Sequence, residues 1–378
     1  MIFIKDRLRY FNLLAVAILF SCEPLVTTFG DSEDALYYEA ANIQNVDYTT
    51  DPFEINVMTW NIRFGCGRIP FFGDACGDRV VLTEVEVNTN LDSVVVRINR
   101  EDPDILLLQE MDRSSKRTNY IDQVQYLLDN TNMNYGVYAT IWNSQFIPSD
   151  GIGRIDMGNV ILSKWKLTNA ERIKLPLRED QEGIVQYFYL RRSILKTQVQ
   201  VPGHDNFYAV NIHATAFATD DTKQKHIDTY LETLESLANE GALFVTGGDL
   251  NSLPPGADST DFCLEDMCED DHYHEAGNEP QHKDGSYFEN FENEPTILQP
   301  LYEAYEPAVS IVDYLENEPA YFTHAPSTSD RNGTYYDRKL DYLFTNISNG
   351  WKPSSDQTHQ DYKQISDHMA VSAILQLP

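Results

Sequence analysis

The chain has 378 residues, 42% of them hydrophobic, enough to bury a sizeable core as one large domain or two ordinary ones. It carries 28 Lys+Arg against 59 Asp+Glu, a formal net charge of −31. The composition excludes a disordered tail. The charge argues against broad non-specific gripping of nucleic acid, which needs a basic surface, though not against a small local basic patch.

The amino terminus reads as an address. Lys5, Arg7 and Arg9 precede an apolar run, Tyr10 to Phe20, that ends in Ser21-Cys22. A positive stretch, a short apolar stretch and a small residue at the cleavage point are the marks of a secretory signal. The run is about half the ~20 residues needed to span a bilayer. The pattern resembles a bacterial lipoprotein signal over 1–21, with Cys22 as the lipid-modified residue. The expectation is an exported protein held to a membrane by lipid, in the periplasm or at the cell surface. Residues 22–50 lack periodicity and read as its tether.

Cys66, Cys76, Cys263 and Cys268 remain, and an even number in an exported chain suggests two disulfides. Short loops favour Cys66 with Cys76 and Cys263 with Cys268, although other pairings stay open. The alternative joins Cys263 and Cys268 to His272 and His274 around zinc, at a spacing that matches no common zinc module. From Asp258 to Glu294 there are thirteen carboxylates and a single lysine, Lys283. This stretch reads as an acidic insertion over about 256–296. A solvated surface loop explains it better than a calcium site, since no regular ligand spacing is present.

Apolar runs predict strands at Ile55–Trp60, Ile105–Leu108, Asn159–Leu162, Phe207–Ile212, Leu243–Thr246, Leu340–Phe344 and Val371–Leu375. Helical spacing puts Leu91, Val94, Val95 and Ile98 on one face. It puts Ile227, Tyr230, Leu231, Leu234 and Leu237 on another, with Thr222 as cap and Gly241 as stop. Alternating strands and helices predict an α/β sandwich over 51–378 with no second core.

The strands end in polar residues of a particular kind. Asn61 follows Trp60, Gln109-Glu110 follow Leu108, Asn211 and His213 close another strand, and Gly248-Asp249-Leu250-Asn251 follow Thr246. Near the end come Leu340-Asp341-Tyr342 and Ser366-Asp367-His368. Singly, each has a bland reading as a turn, a cap or a solvent-facing end. Ligand sites of α/β sheets gather beyond strand ends, so together these groups predict one converging site.

This ordered set resembles the endonuclease/exonuclease/phosphatase superfamily, from about Asn56 to the carboxyl terminus. Gly158-Asn159-Val160-Ile161-Leu162-Ser163-Lys164 adds to the likeness, while Ala370 stands where the family often has proline. The resemblance implies a four-layered α/β/β/α sandwich of the deoxyribonuclease I-like kind. It also implies metal-dependent hydrolysis of a phosphoester. Glu110, Asn61 and Asp367 would be oxygen ligands for Mg²⁺, with Mn²⁺ as substitute. Asp249 would orient or deprotonate the attacking water, and Asn251 would hold a phosphate oxygen or position that water. His368 would donate to the phosphoryl oxygens with Asp341 on its other nitrogen, so activity should fall as pH rises through its raised pKa. His213 would be a candidate acid for the leaving group.

The substrate is set by loops rather than by these motifs. Lys339-Leu340-Asp341-Tyr342 lacks the tryptophan-rich Asp-Arg signature expected of inositol polyphosphate phosphatases. Ser252-Leu253-Pro254-Pro255 differs from the continuation in abasic-site repair enzymes. A secreted nuclease suits export, but the charge opposes an anionic polymer. A sphingomyelinase-like phosphodiesterase suits both. The expected partner is therefore a small-molecule phosphoester or a lipid head group rather than nucleic acid, met by a monomer. A silent relative that only binds phosphate or a partner is the alternative outside catalysis.

Overall fold

Apolar runs that end in polar residues form the middle of two sheets. The computed structural model of the chain describes residues 25–46, 53–72, 77–216, 218, 220–257, 296–325 and 336–378. The signal over 1–21, Cys22, Cys76, Cys263, Cys268, His272, His274 and nearly all of the acidic insertion lie outside the described residues.

One sheet has the order β13(Gln357–Thr358), β14(Val371–Leu377), β3(Phe53–Asn61), β4(Ile105–Asp112), β6(Gly153–Ser163), β5(Tyr135–Ile147), β2(Leu36–Glu39). The other has the order β1(Ser32–Asp34), β7(Leu167–Lys174), β8(Ser193–Val199), β9(Phe207–His213), β10(Leu243–Asp249), β12(Asp341–Thr345), β11(Glu306–Pro307). Each expected strand is present, several of them longer than their apolar run. In each sheet one neighbouring pair runs parallel, β3 with β4 and β9 with β10.

Period-two alternation then sorts the side chains into layers. Ile55, Val57, Ile105, Leu107 and Ile161 of the first sheet pack with Leu195, Phe207, Ala209 and Val245 of the second, forming the inner core. On the outer face of the first sheet, Met58, Trp60, Leu106 and Leu108 pack under helix α1(Glu84–Glu101), which contributes Val87, Leu91, Val94 and Ile98. Thr83 and Glu86 form a capping box at the start of α1. Beneath the second sheet, Ile194, Val210, Ile212 and Phe244 meet Ile227, Tyr230, Leu234 and Leu237 of the helix Thr222–Asn239. The result is the four-layered α/β/β/α sandwich.

Two expectations change. Thr222 is the first helical residue and Asp221 takes the cap position, with no side-chain cap bond; Gly241, at φ +72°, lies just past the helix. Within the expected tether, β1 pairs with β7 of one sheet and β2 with β5 of the other. The folded part therefore begins before residue 51. These short edge strands are mostly exposed, so they carry no apolar alternation to betray them. Cys66 is buried, its Sγ 3.7 Å from Gly67 O, while Cys76, Cys263 and Cys268, the other members of the expected disulfides, lie outside the described residues.

Between the layers, polar side chains tie sheet to sheet. Asn211 of β9 donates from Nδ2 to Leu108 O and to Val160 O, both at 2.8 Å, and accepts from Gln109 Nε2 at 2.8 Å. Gln109 and Asn211, which read as strand-end polar groups, are fully buried and hold the two sheets in register.

Candidate active site

The parallel pairs bring strand ends to one edge of the sandwich. Across the second sheet His213 is paired in register with Asp249, and Asp249 with Asp341. Three neighbouring strands thus present a row of His, Asp and Asp. The row needs a very close approach of backbones just behind it: Gly248 sits at φ +138°, and a Cβ there would meet Ile212 O at 1.9 Å. In the first sheet Asn61 ends β3, and Glu110 lies where the β4 register slips between Leu108 and Met111. Glu110 takes φ +58°, a left-handed conformation for a side-chain-bearing residue. The bulge turns Glu110 out of the ladder and toward the site, where strain of this kind is commonly stored.

Asp249 is the hub. Its Oδ2 accepts from Asn61 Nδ2 at 3.1 Å and lies 3.3 Å from His213 Nε2 and 3.7 Å from His368 Nε2. Its Oδ1 accepts from the Asn251 amide at 3.0 Å. Asn251 itself takes φ +47° and donates from Nδ2 to Ala214 O. Asn61 Nδ2 also reaches Glu110 Oε1 at 3.2 Å, while its Oδ1 accepts from Arg63 N. The amide nitrogen, not the oxygen, therefore faces the two carboxylates. His368 Nδ1 lies 2.8 Å from Asp341 Oδ2, and the Trp60 indole donates to His368 O. Asp367 stands at the margin: its Oδ2 is 3.1 Å from Arg63 Nε, and Ser366 Oγ ties the segment to Asn61 O. The eight residues singled out from the sequence are thus brought together, seven in direct contact and Asp367 through Arg63 and Ser366.

Burial and neighbours set the charges. Burial alone would lower the His368 pKa, but the Asp341 and Asp249 carboxylates outweigh it and hold the ring well above its ordinary value. Burial raises Asp249 to about 6 against the pull of His368. Burial, then Arg192, pushes His213 well below its ordinary value, and its Nδ1 is buried without a hydrogen-bond partner. Asp367 sits at about 2, because Arg63 and then His368 more than offset its burial.

Several neighbours carry no signal in the sequence. Arg192, 8% exposed, donates from Nη1 to His213 O. Buried Lys339 donates to Asp341 O and is lowered by burial to about 8. His324 lies against His368. Arg192 and His324 owe their place to contacts across many intervening residues, whereas Lys339 stands two residues before Asp341. A cavity of about 420 Å³ lined by Tyr37, Tyr38, Tyr135 and Lys166 sits at the edge strapped by β2 and contains none of the site residues.

Solved structures share this architecture. An endonuclease/exonuclease/phosphatase of Beutenbergia cavernae is 19% identical, over 86% of this chain and 72% of that one, with TM-score 0.52. A family protein of Leptotrichia buccalis is 14% identical, over 85% and 100%, with TM-score 0.50. A 3'-5' exonuclease of Neisseria meningitidis is 15% identical over the same shares, also with TM-score 0.50. At such identities the likeness concerns the fold. No curated protein matches the chain. Residues 58–368, which hold every strand-end group described above, match the model of the Endonuclease/Exonuclease/phosphatase family, and the chain belongs to that family.

Proposed function

We propose that the chain is a divalent-metal-dependent phosphoesterase that hydrolyses a phosphodiester or phosphomonoester outside the cytoplasm. The observation that carries this reading is the convergence on Asp249: one buried carboxylate, raised to about 6, in contact with an amide and two imidazoles. A carboxylate so raised suits the task of taking a proton from water near neutral pH. His368, kept charged by Asp341, suits donation to phosphoryl oxygens. Asn251, braced on Ala214 O, borders the same carboxylate and supports a positioning role.

The donor set fits a hard cation. Glu110 and Asp367 offer carboxylate oxygens at the site margin, the chemistry that Mg²⁺ or Mn²⁺ takes, and Asn61 is placed to orient Glu110 and Asp249. Ligand atoms of Asp249, Asp341 and His368 also lie within 4.8 Å of one another. In that cluster His368 and Asp341 are engaged with each other at 2.8 Å; Glu110 and Asp367, partly exposed and held by Asn61 and Arg63, are the ligands that the family resemblance implies. A bound metal would act as Lewis acid on a phosphoryl oxygen.

The acidic charge supports a small phosphoester or lipid head group over a nucleic-acid polymer. Export and the lipid at Cys22 rest on the sequence signals alone. Among the described residues no helix is long and apolar enough to cross a membrane.

The test is hydrolysis of an aryl phosphodiester, a phosphomonoester, sphingomyelin and DNA by the full chain, with Mg²⁺ and with EDTA. Turnover that needs metal and vanishes in Glu110→Ala is the expected result, with the preferred ester choosing the branch. Turnover of DNA alone would favour the nuclease reading. No turnover, with phosphate still bound, would leave the silent binder.

A further inference from the structure

His324 is an imidazole at the site that no strand end announced. An isolated antiparallel bridge pairs it with His368, and partners opposite each other in such a pair send their side chains to the same face. The rings meet edge-on, with centroids 5.5 Å apart at 74°. Each ring is held at Nδ1 by its own carboxylate at 2.8 Å, His368 by Asp341 and His324 by Asp337. A carboxylate there fixes Nδ1 as the protonated nitrogen and leaves Nε2 to face elsewhere. Among the described residues both ring-nitrogen neighbours of His324 stand at Nδ1. With the Nδ1 proton given to Asp337 at 2.8 Å, Arg338 Nη2 at 3.2 Å is a close neighbour that pairs with Asp337 and not a hydrogen bond to the ring. Its side chain keeps 14% exposure, against 3% for His213.

His213 is badly placed to serve the departing group. Its Nε2 faces Asp249 Oδ2 at 3.3 Å, so a proton there is committed to the carboxylate that meets the water. Attacking and leaving oxygens stand roughly in line across phosphorus, so the departing oxygen lies away from Asp249. His324 touches His368 and makes no contact with Asp249.

We propose that His324, oriented by Asp337, gives the proton to the departing oxygen. The assignment rests on the phosphoesterase reading above. Water forms the new P–O bond and yields one proton to Asp249. The bond to the leaving group breaks with its electron pair on the departing oxygen, which takes the Nε2 proton of His324 in its doubly protonated, imidazolium form and leaves as an alcohol, the ring keeping its Nδ1 proton on Asp337. Solvent then restores the proton on His324 and removes the one on Asp249, so no further reactant is needed. The substrate class narrows accordingly to esters of poorly acidic alcohols. A phosphoanhydride, whose leaving phosphate departs as an anion, has little use for such a donor.

The experiment compares wild type, His324→Gln, Asp337→Asn and His213→Gln on phosphodiesters that differ only in the leaving group: nitrophenyl, phenyl and alkyl. General acid catalysis is worth ~10²–10⁴-fold, so His324→Gln should lose about that much on the phenyl and alkyl esters and much less on nitrophenyl. Asp337→Asn should lose in the same order, by less, and covers the case in which the His324 variant fails to fold. Thermal midpoints are read alongside. An equal loss on every ester, no loss on any, or leaving-group dependence in His213→Gln instead would overturn the assignment while leaving the phosphoesterase reading intact. Wild type inactive on all three would overturn both.

Discussion

Asp341 Oδ2 and His368 Nδ1 meet at 2.8 Å inside the fold, one at the start of β12 and the other just before β14. The contact sets both the tautomer and the charge of His368. Its raised pKa means that the charged donor is present at lower pH and lost as pH rises through the raised value. Asp341→Asn removes the carboxylate charge. The expected outcome is a fall in kcat on the order of 10²-fold or more, together with an alkaline limb moved to lower pH. A pH–rate profile of kcat for both proteins checks this, and an unmoved limb would refute the role given to Asp341.

The resemblance puts Asn61 beside Glu110 as a ligand, but Asn61 Nδ2 faces the two carboxylates and its Oδ1 accepts from Arg63 N, so metal binding should distinguish the two residues. Loss of an outer partner costs ~10–100-fold in metal affinity or activity, and loss of a ligand at least as much. Glu110→Gln should therefore weaken Mn²⁺ or Mg²⁺ binding more than Asn61→Ala, which should mainly slow turnover. Titration calorimetry with the metal alone distinguishes the two. Equal, unchanged binding in both variants would remove Glu110 from the ligand set.

The strand ends were legible because an apolar run that stops at Asn, Glu or Asp is easy to see, and register then carries those groups to one edge. What stayed illegible depends on distance in the chain or on exposure. Glu110 owes its direction to a bulge, which no residue type announces. Gln109 and Asn211 look like solvent-facing ends, yet each finds its partner in the opposite sheet. Arg192 and His324 enter the site from segments without a motif. The strap strands β1 and β2 are three and four residues long and mostly exposed, too short for an apolar alternation to mark their pairing with both sheets.

The inter-sheet tie predicts a stability cost separable from chemistry. Asn211→Ala leaves Gln109 Nε2 without its 2.8 Å acceptor and removes the donor to Leu108 O and Val160 O. Gln109 Nε2 keeps Thr59 Oγ1 at 3.2 Å and Leu107 O at 3.3 Å, so the cost is that of the bonds lost, about 0.5–1.5 kcal/mol each. A urea midpoint lowered with an unchanged slope is the expected reading. A change under about 0.5 kcal/mol, the range of neutral surface substitutions, would mean that the sheets are held by apolar packing alone.

Acid sensitivity should come in part from His226. Its Nδ1 accepts from Thr215 N at 3.1 Å and its Nε2 lies 2.8 Å from Pro176 O, an arrangement that only the neutral ring satisfies. Burial lowers its pKa from the ordinary 6.5 to about 4. With the folded value depressed, the unfolded chain binds more protons between those two pH values. The contribution is therefore complete above 6.5 and is lost as pH falls toward 4. At 1.36 kcal/mol per unit, the loss is on the order of 3 kcal/mol. An amide can both accept from Thr215 N and donate to Pro176 O, so His226→Gln should flatten the stability curve in that window while lowering it little at pH 7. Chemical denaturation of both proteins at several pH values between 4 and 7 gives the comparison. Parallel curves would show that His226 is not the group that titrates.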